Sequence, residues 1–291
     1  MVLFVTKLSI FPPNFAISFT NFDEITCFST SDIKKTVSIF LSSCLANCFA
    51  LPRVYKKMGI SLSKEQKNPK ISKMDFGKIF HFLIDLEINN NRNWFNDNKL
   101  RYEEAKDEFV IFLDDFLSKL KDIDPQINVE DPNKCMFRIY RDVRFSKNKA
   151  PYKTNFGAYI AKDGRKSGNA GYYMHIEPDR CFVGGGIYKP DAPSLKAIRQ
   201  YIFDHTKDFK DIIKNDKFQS YFPEIYGEKL KRAPKDFPKN FEEIELLKHK
   251  SYAMIHPVKN EFWEQKDLER QLIEIYKCLL PFNHFLNKAV E

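Results

Sequence analysis

The sequence predicts an α+β domain, in which a central antiparallel sheet of four to five strands is flanked by N-terminal and C-terminal helices. From Met74 onward, apolar residues recur at helical spacing, and beyond Asp124-Pro125 the spacing changes from 3.6 residues to 2. The segments with the shorter period are joined by links too short for a parallel crossover, which needs about a dozen or more residues. Helices at both ends of an antiparallel sheet are typical of the α+β class.

Two amphipathic helices are predicted at the start of this domain. The first runs from Phe76 to about Glu87 and ends at Asn89-Asn90-Asn91. The second covers Lys99–Lys121 and ends at Asp124-Pro125, because the residue before a proline disfavours the helical conformation. Their apolar stripes consist of Phe76, Ile79, Phe80, Leu83, Ile84 and Leu86 in the first helix, and of Leu100, Ala105, Phe109, Phe112, Leu113, Phe116, Leu117 and Leu120 in the second.

Four strands are predicted in the middle of the domain from alternating apolar and polar side chains. A basic loop, a glycine-containing loop at residues 162–168 and a tight turn at Pro178-Asp179 join them. The predicted strands are Cys135–Val143, Phe156–Ala161, Gly171–Glu177 and Arg180–Gly185.

The last third of the chain predicts further helices and one more strand. We expect Asp191 to be the N-cap of a helix through about His205, with Pro193 in its first turn. The other predicted elements are helices near Asp208–Phe218, Asn240–Leu247 and Glu261–Asn287 and a short strand at Ser251–His256.

Residues 1–73 differ in character from the rest, with much Ser, Phe, Ile and Asn and no sustained period. We expect a single domain over residues 74–291 and a start-site extension before it; a disordered or weakly helical arm is the alternative. The apolar run Val37–Leu51 falls short of the about 20 residues that span a bilayer, so no membrane span is predicted. Lys34-Lys35 followed by Cys44 resembles a lipoprotein signal, but such a signal belongs at the N-terminus.

The formal charge of +8 is concentrated in the first part of the chain. Residues 1–73 hold 10 of the 47 Lys and Arg residues and 4 of the 39 Asp and Glu residues, which leaves 37 bases against 35 acids in the rest. A net charge of +2 argues mildly against extended duplex binding by the domain. The six cysteines show neither a disulfide framework nor a zinc ribbon, so a reducing, cytoplasmic location is predicted.

The most informative stretch is the basic run Arg138–Thr154, which places six bases and several aromatic residues around one acid, Asp142. Such a mixture is costly to bury and predicts an ordered cationic surface for a negatively charged ligand. Three glycines at 184–186 leave a strand before a helix, where backbone amides can approach an anion; close strand packing is the alternative. The predicted ligand-binding residues are Arg138, Arg141, Arg144, Lys147, Lys149, Tyr152, Lys153, Thr154 and Gly185.

Alternation along two of the predicted strands points to acid–base chemistry. Arg138, Tyr140 and Asp142 share one face of the first strand, and Tyr173, His175 and Glu177 share one face of the third. If the two faces coincide, Asp142, His175 and Glu177 are candidate catalytic residues; a solvated face of a half-covered sheet is the alternative. His175 and Glu177 alone do not close a metal site, so no metal is predicted, and no cofactor can be named.

Several ordered strings resemble the family catalogued as domain of unknown function 2461, which occurs in bacteria and fungi. The resemblance covers about residues 74–291; it implies the domain and leaves the function open. Asn148 stands where an acid is usual in the family, and Asp179-Arg180 stands where glycines are usual. The matching strings are Trp94-Phe95, Arg138–Lys147, Ala150–Thr154, Tyr172–Pro178, Gly184–Gly186, Pro190-Asp191, Leu230–Lys235 and Leu247–Ser251.

Three functions fit these observations. The first is binding of a phosphate-bearing small molecule or nucleotide by the basic run, with catalysis left open. The second is nucleic-acid binding, in which Tyr140, Phe145 or Tyr152 stack on bases. The third is a protein-interaction domain without catalysis, whose bases pair with a partner's acids. The sequence lacks the G-x-S-x-G, H-E-x-x-H and kinase motifs, which argues against the common hydrolases and kinases.

Overall fold

The computed structural model describes residues 74–291 and, before them, only the backbone of the strands β1 (Phe15–Asn21) and β2 (Glu24–Ser29). These two strands pair antiparallel, and the sequence analysis predicts neither of them. The chain divides into two compact units, Met1–Ile71 and Ser72–Glu291, and each is described by itself. The run Val37–Leu51 and the signal-like segment around Cys44 lie outside the described residues.

Three helices begin the second unit: α1 (Phe76–Ile88), α2 (Arg92–Asp97) and α3 (Lys99–Ile123). Helices α1 and α3 confirm the predicted amphipathic pair; their apolar stripes are largely buried, the two helices pack against each other, and the Phe109 ring of α3 meets the Phe156 ring edge-on at 5.9 Å. The stripe assignment was wrong at Ile84 and Leu100, which are 44% and 81% exposed. Both residues lie at the edge of their stripe, where the helical period alone does not say how wide the contact is.

The sheet has the order β3-β4-β5-β6, and each neighbouring pair is antiparallel, as predicted. Its strands are β3 (Phe156–Ala161), β4 (Gly171–Ile176), β5 (Phe182–Ile187) and β6 (Tyr252–Pro257). Strand β5 begins two residues later than predicted, because the Arg180 amide donates to the Glu177 carbonyl at 2.9 Å and closes the preceding turn. Asp179 in that turn adopts a φ of 61°.

The predicted strand Cys135–Val143 was wrong. The segment is extended but forms only isolated bridges, Met136 with Ala158 and Tyr140 with Tyr152. Between these bridges the chain advances four residues on one side and six on the other, so two extra residues between Lys153 and Gly157 bulge out of the ladder, while the Lys153 amide still donates to the Ile139 carbonyl at 2.8 Å. An interrupted ladder cannot form a regular strand, although the alternation in the sequence continues through it.

Helices fill the C-terminal part: α4 (Ala192–Asp204), α5 (Thr206–Ile213), α6 (Asp216–Tyr221), α7 (Ile244–Leu247) and α8 (Leu268–Val290). The Asp191 side chain caps α4 by accepting from the Ser194 amide at 2.9 Å, as predicted. The single helix predicted near Asp208–Phe218 was wrong, because Asn215 caps a new helix there. Helix α7 is shorter than predicted, and α8 starts later, after a 3₁₀ turn at Asn260–Glu264.

The core lies on one face of the sheet. Tyr172, Met174 and Ile176 of β4 are fully buried on that face, where the Tyr172 ring lies 4.9 Å from the Tyr276 ring of α8. The buried Asp124 accepts a hydrogen bond from the Tyr172 hydroxyl at 2.8 Å. Since side chains alternate along a strand, Tyr173 and His175 point to the opposite face. Within residues 74–291, no helix is both long and apolar enough to cross a bilayer.

Candidate functional site

A chain of hydrogen bonds runs along the outer face of β4. The Tyr173 hydroxyl lies 3.0 Å from His175 Nδ1, and His175 Nε2 lies 3.0 Å from Glu177 Oε2. The His175 and Glu177 side chains are 14% and 15% exposed, so water reaches them only at their edges. The alternation that begins in β4 places Tyr173, His175 and Glu177 together, as the sequence predicts.

The bulge before β3 brings two more polar side chains to the hydrogen-bond chain of Tyr173, His175 and Glu177. The Thr154 hydroxyl donates to Glu177 Oε1 at 2.6 Å, and the Asn155 amide nitrogen lies 3.4 Å from His175 Nδ1. Arg180 contacts the same Oε1 atom of Glu177 at 3.0 Å. The Glu177 carboxylate is therefore held on both oxygens, which fixes the position of the imidazole beside it.

Glycine at position 157 makes room for the Tyr173 hydroxyl. Gly157 pairs with His175 across the β3–β4 ladder, and a Cβ at that position would lie 2.9 Å from the Tyr173 hydroxyl oxygen. Any larger residue would push the hydroxyl away from His175 Nδ1. Gly157 is thus a positioning residue of the hydrogen-bond chain.

The environment keeps the imidazole and the phenol of this chain uncharged at neutral pH. Burial lowers the pKa of His175; the hydrogen bond and charge of Glu177 oppose that shift, and the charges of Arg180 and Lys153 add to it. Burial, followed by the Glu177 charge, raises the pKa of Tyr173 to about 12. The His175 ring also stacks on Phe182 of β5, with centroids 4.5 Å apart and planes 16° from parallel. Such a chain can hold or pass a proton between its members.

Three cations lie close to one another beside Phe137 and Tyr173, and we call them the Phe137 cluster: Lys153 and Arg165, which lie over the Phe137 ring, and Arg138, whose charge acts on Lys153. Lys153 Nζ and Arg165 Cζ each lie 5.3 Å from the Phe137 ring centre, and that ring meets the Tyr173 ring edge-on at 6.1 Å. Burial, followed by the charges of Arg138 and Arg165, lowers the pKa of Lys153. Within residues 74–291, none of the three has a carboxylate oxygen within 4.0 Å.

Two other bases of the basic run, Arg141 and Lys149, form hydrogen bonds within the loop. Arg141 donates to the Ala150 carbonyl at 3.0 Å and to the Ser146 hydroxyl at 3.3 Å, and Lys149 donates to the Val143 carbonyl at 3.1 Å. These bonds tie the two sides of the loop together. Lys147 is exposed and lies in the same loop.

Asp142 does not join His175 and Glu177. Its carboxylate pairs with Arg144, at 2.7 Å and 3.0 Å, and both side chains are largely exposed. That hydrogen bond lowers the pKa of Asp142. The polar face of the segment 135–143 therefore does not bring Asp142 to His175. Thr154 is the residue of the basic run that reaches this site, through its hydrogen bond to Glu177.

Two of the predicted ligand-binding residues lie in the core. Tyr152 is 5% exposed, and its ring stacks on Phe95 with centroids 3.9 Å apart. Gly185 is buried on the α8 side of β5, where a Cβ would lie 2.1 Å from the Gly171 carbonyl oxygen and 2.5 Å from Leu279 Cδ2. Close packing accounts for this glycine, as the alternative interpretation of the triplet expects.

The family model described as a conserved hypothetical protein (DUF2461) matches residues 78–285, which is more than two thirds of the chain. The chain belongs to the DUF2461 family. A search of curated proteins and a search of solved structures each found no match. The match contains the whole hydrogen-bond chain of β4 and the whole Phe137 cluster.

Both positions at which the sequence analysis expects another residue from the family resemblance lie in turns or loops. Asp179 lies at a φ of 61°, the left-handed region in which glycine is unstrained, so a glycine would fit the same turn. Asn148 accepts a hydrogen bond from the Ala150 amide at 2.9 Å, which an acid at the same position can also do. Neither departure removes a side chain from the outer face of β4.

Sequence reasoning missed Arg165 and Gly157, and it placed Tyr173 on the polar strand face without naming it as a candidate catalytic residue. Arg165 lies in the β3–β4 loop, outside the basic run, and only the return of that loop beside Phe137 brings it into the cluster. Tyr173 was visible in the sequence on the same strand face as His175. Within residues 74–291, no group of three or more His, Cys, Asp and Glu side chains is arranged to hold a metal ion.

Proposed function

We propose that this domain binds an anionic small molecule that carries a phosphate group, on the outer face of β4. The observation that supports the proposal is the Phe137 cluster, where three cations gather without a carboxylate among the described residues within 4.0 Å. Like charges at close range repel, and burial together with the charges of Arg138 and Arg165 lowers the pKa of Lys153, which disfavours its charged form. A bound anion removes this unfavourable interaction.

The donors of the cluster suit a phosphate group. Two guanidinium groups offer planar pairs of N–H donors, and an ammonium group offers a compact charge, which together match tetrahedral oxyanions. Lys153 and Arg165 both lie over the Phe137 ring, which gives a ligand an apolar surface to contact. Within the loop, Arg141 and Lys149 preorganise the backbone and do not compete for the anion.

Substitution of Lys153 by Met tests this proposal, because Met keeps the apolar stem and removes the charge. With sulfate as the probe, we expect calorimetric affinity to fall by about 10- to 150-fold, which corresponds to the about 1.5–3 kcal/mol of a hydrogen bond to a charged group. We expect the melting temperature to stay the same or rise, since Lys153 loses an unfavourable environment.

The matched control is Lys166→Met, which removes the same charge from an exposed position beside Arg165. Equal loss of sulfate affinity in both variants means that the effect is one of net charge, and the proposal fails. A chain that binds no sulfate, phosphate or pyrophosphate at millimolar concentration also refutes it. A fall in melting temperature of Lys153→Met without any change in affinity assigns Lys153 a structural role.

Binding of single-stranded nucleic acid is the second candidate, and the side chain of Phe145 supports it. This ring is 96% exposed at the tip of the loop, with the Arg144 guanidinium 5.9 Å from its centre. Exposed aromatic rings among cations stack on bases, each worth about 1–3 kcal/mol. If Phe145→Ala weakens binding of a fluorescent oligothymidine at least fivefold while Tyr188→Ala does not, the nucleic-acid function gains support over the small-molecule one.

A further inference from the structure

The Tyr173 hydroxyl is the polar group that joins the Phe137 cluster to His175. Its ring meets Phe137 edge-on at 6.1 Å, and its oxygen lies 3.0 Å from His175 Nδ1. Lys153 of the cluster is also close enough for its charge to act on His175, so a ligand held by the cluster lies on the same face of β4 as this hydroxyl. Whether the hydroxyl can donate to an anion depends on the protonation of the imidazole behind it.

The direction of the hydrogen bonds follows from the chemistry of histidine. Glu177 accepts only, so a neutral His175 carries its proton on Nε2, and Nδ1 must accept. The Tyr173 hydroxyl then donates inward to Nδ1 and turns its lone pairs outward, which is unfavourable for an anion. When His175 is protonated, Nδ1–H donates to the Tyr173 oxygen, and the phenolic proton is free to point at the ligand.

We propose that Tyr173 is a ligand-contacting residue of the anion site and that binding of the anion is coupled to uptake of one proton by His175. The proposal rests on the function proposed above and deepens it. His175 does not touch the ligand; it acts through Tyr173, and it is a positioning residue. The affinity of the site for the anion is therefore higher when His175 is protonated.

The groups that face His175 determine the sign of this coupling. Glu177 favours the imidazolium, while Lys153 and Arg180 disfavour it. Thr154 and Asn155 from the bulge and the Phe182 ring from β5 complete the surroundings without adding charge. An anion beside Lys153 offsets the nearest cation, so it favours protonation of His175, and by linkage protonation favours the anion equally.

The experiment measures sulfate affinity of the full chain between pH 8 and pH 5.5, since sulfate remains a dianion over this range. We expect affinity to rise as the pH falls, by up to about tenfold per pH unit while the bound form is protonated and the free form is not. Calorimetry in two buffers of different ionisation enthalpy should approach one proton taken up per sulfate bound at the lower pH values.

Three variants separate the roles. His175→Gln cannot take up the proton, so its affinity should not rise as the pH falls. Tyr173→Phe should lose at least fivefold in affinity at pH 5.5, and Gly157→Ala should lose affinity too, because its Cβ displaces the hydroxyl without removing it. The control Tyr188→Phe removes a hydroxyl from an exposed tyrosine elsewhere.

The outcomes distinguish this inference from the proposed function. Sulfate binding that is present but independent of pH in the unchanged chain overturns the coupling and leaves the anion site standing. A pH dependence that survives in His175→Gln, or an unchanged affinity in Tyr173→Phe at pH 5.5, also overturns it. Failure of sulfate to bind at any pH refutes the proposed function, and this inference falls with it.

Discussion

His249 should make the folded domain sensitive to mild acid, and its contribution can be measured apart from all others. The side chain is 4% exposed, and among the described residues its Nδ1 atom has no hydrogen-bond partner. Burial, followed by the charge of Lys229, lowers the pKa of His249 to about 4, and Arg199 adds to that shift while Glu245 opposes it. The folded state therefore holds a neutral imidazole at pH values where the unfolded chain is protonated.

The size of the effect follows from the two pKa values, 6.5 for an ordinary histidine and about 4 in the folded state. Above pH 6.5 neither state is protonated and the stabilisation is complete; as the pH falls from 6.5 toward 4, only the unfolded chain takes up a proton and stability is lost. At about 1.4 kcal/mol per pH unit, roughly 2 kcal/mol is lost by pH 5 and about 3 kcal/mol by pH 4.

Urea unfolding of the full chain and of His249→Gln at pH 7 and pH 5 measures the contribution of His249 to the free energy of unfolding. We expect the free energy of unfolding of the unchanged chain to fall by about 2 kcal/mol more than that of the variant over this range. Burial also lowers the pKa of His175 and His256, so the variant keeps some acid sensitivity of the same sign. His81→Gln, at an exposed histidine, is the control. Equal losses in the unchanged chain and in His249→Gln would refute the reasoning.

Two further predictions concern the glycine triplet and the domain boundary. Gly185→Ala should destabilise the domain by about 1–3 kcal/mol or more, because its Cβ overlaps the Gly171 carbonyl and Leu279; thermal unfolding measures the loss. An unchanged melting temperature combined with lost sulfate binding would instead make Gly185 a ligand residue. A chain that begins at Met74 should unfold cooperatively within a few degrees of the full chain, and loss of a cooperative calorimetric transition would contradict the expected domain boundary.

The sheet and the long helices could be predicted because each keeps the same spacing of apolar residues over its length. Helix α3 keeps a helical period for 25 residues, and β3 and β4 keep a period of 2 on either side of a loop. The points at which a helix or strand is interrupted were harder to predict. Asn215 caps a new helix and so divides the helix predicted near Asp208–Phe218. Because asparagine also occurs on the surface of helices, its presence in the sequence did not indicate this division.

The candidate site was predicted where it depends on one strand and missed where it depends on a contact between segments. His175 and Glu177 are two residues apart on β4, so alternation alone brings them together. Asp142 was expected beside them on the assumption of a continuous ladder, and the bulge before β3 breaks that ladder. Arg165 reaches the Phe137 cluster only through the course of a loop, which no period in the sequence records.

The register of the sheet places a glycine beside each of two side chains on the outer face of β4. His175 has Gly157 beside it on β3, and Tyr173 has Gly184 beside it on β5. A Cβ at either glycine would meet an atom within 3.0 Å: the Tyr173 hydroxyl at Gly157, and a carbonyl oxygen of β6 at Gly184. Gly157 therefore leaves room for the Tyr173 hydroxyl beside His175, and Gly184 permits the close packing of β5 and β6. Because the place of a side chain at position 157 is taken by a hydroxyl that lies 3.0 Å from His175, this glycine fits the proposed role of Tyr173 in ligand binding.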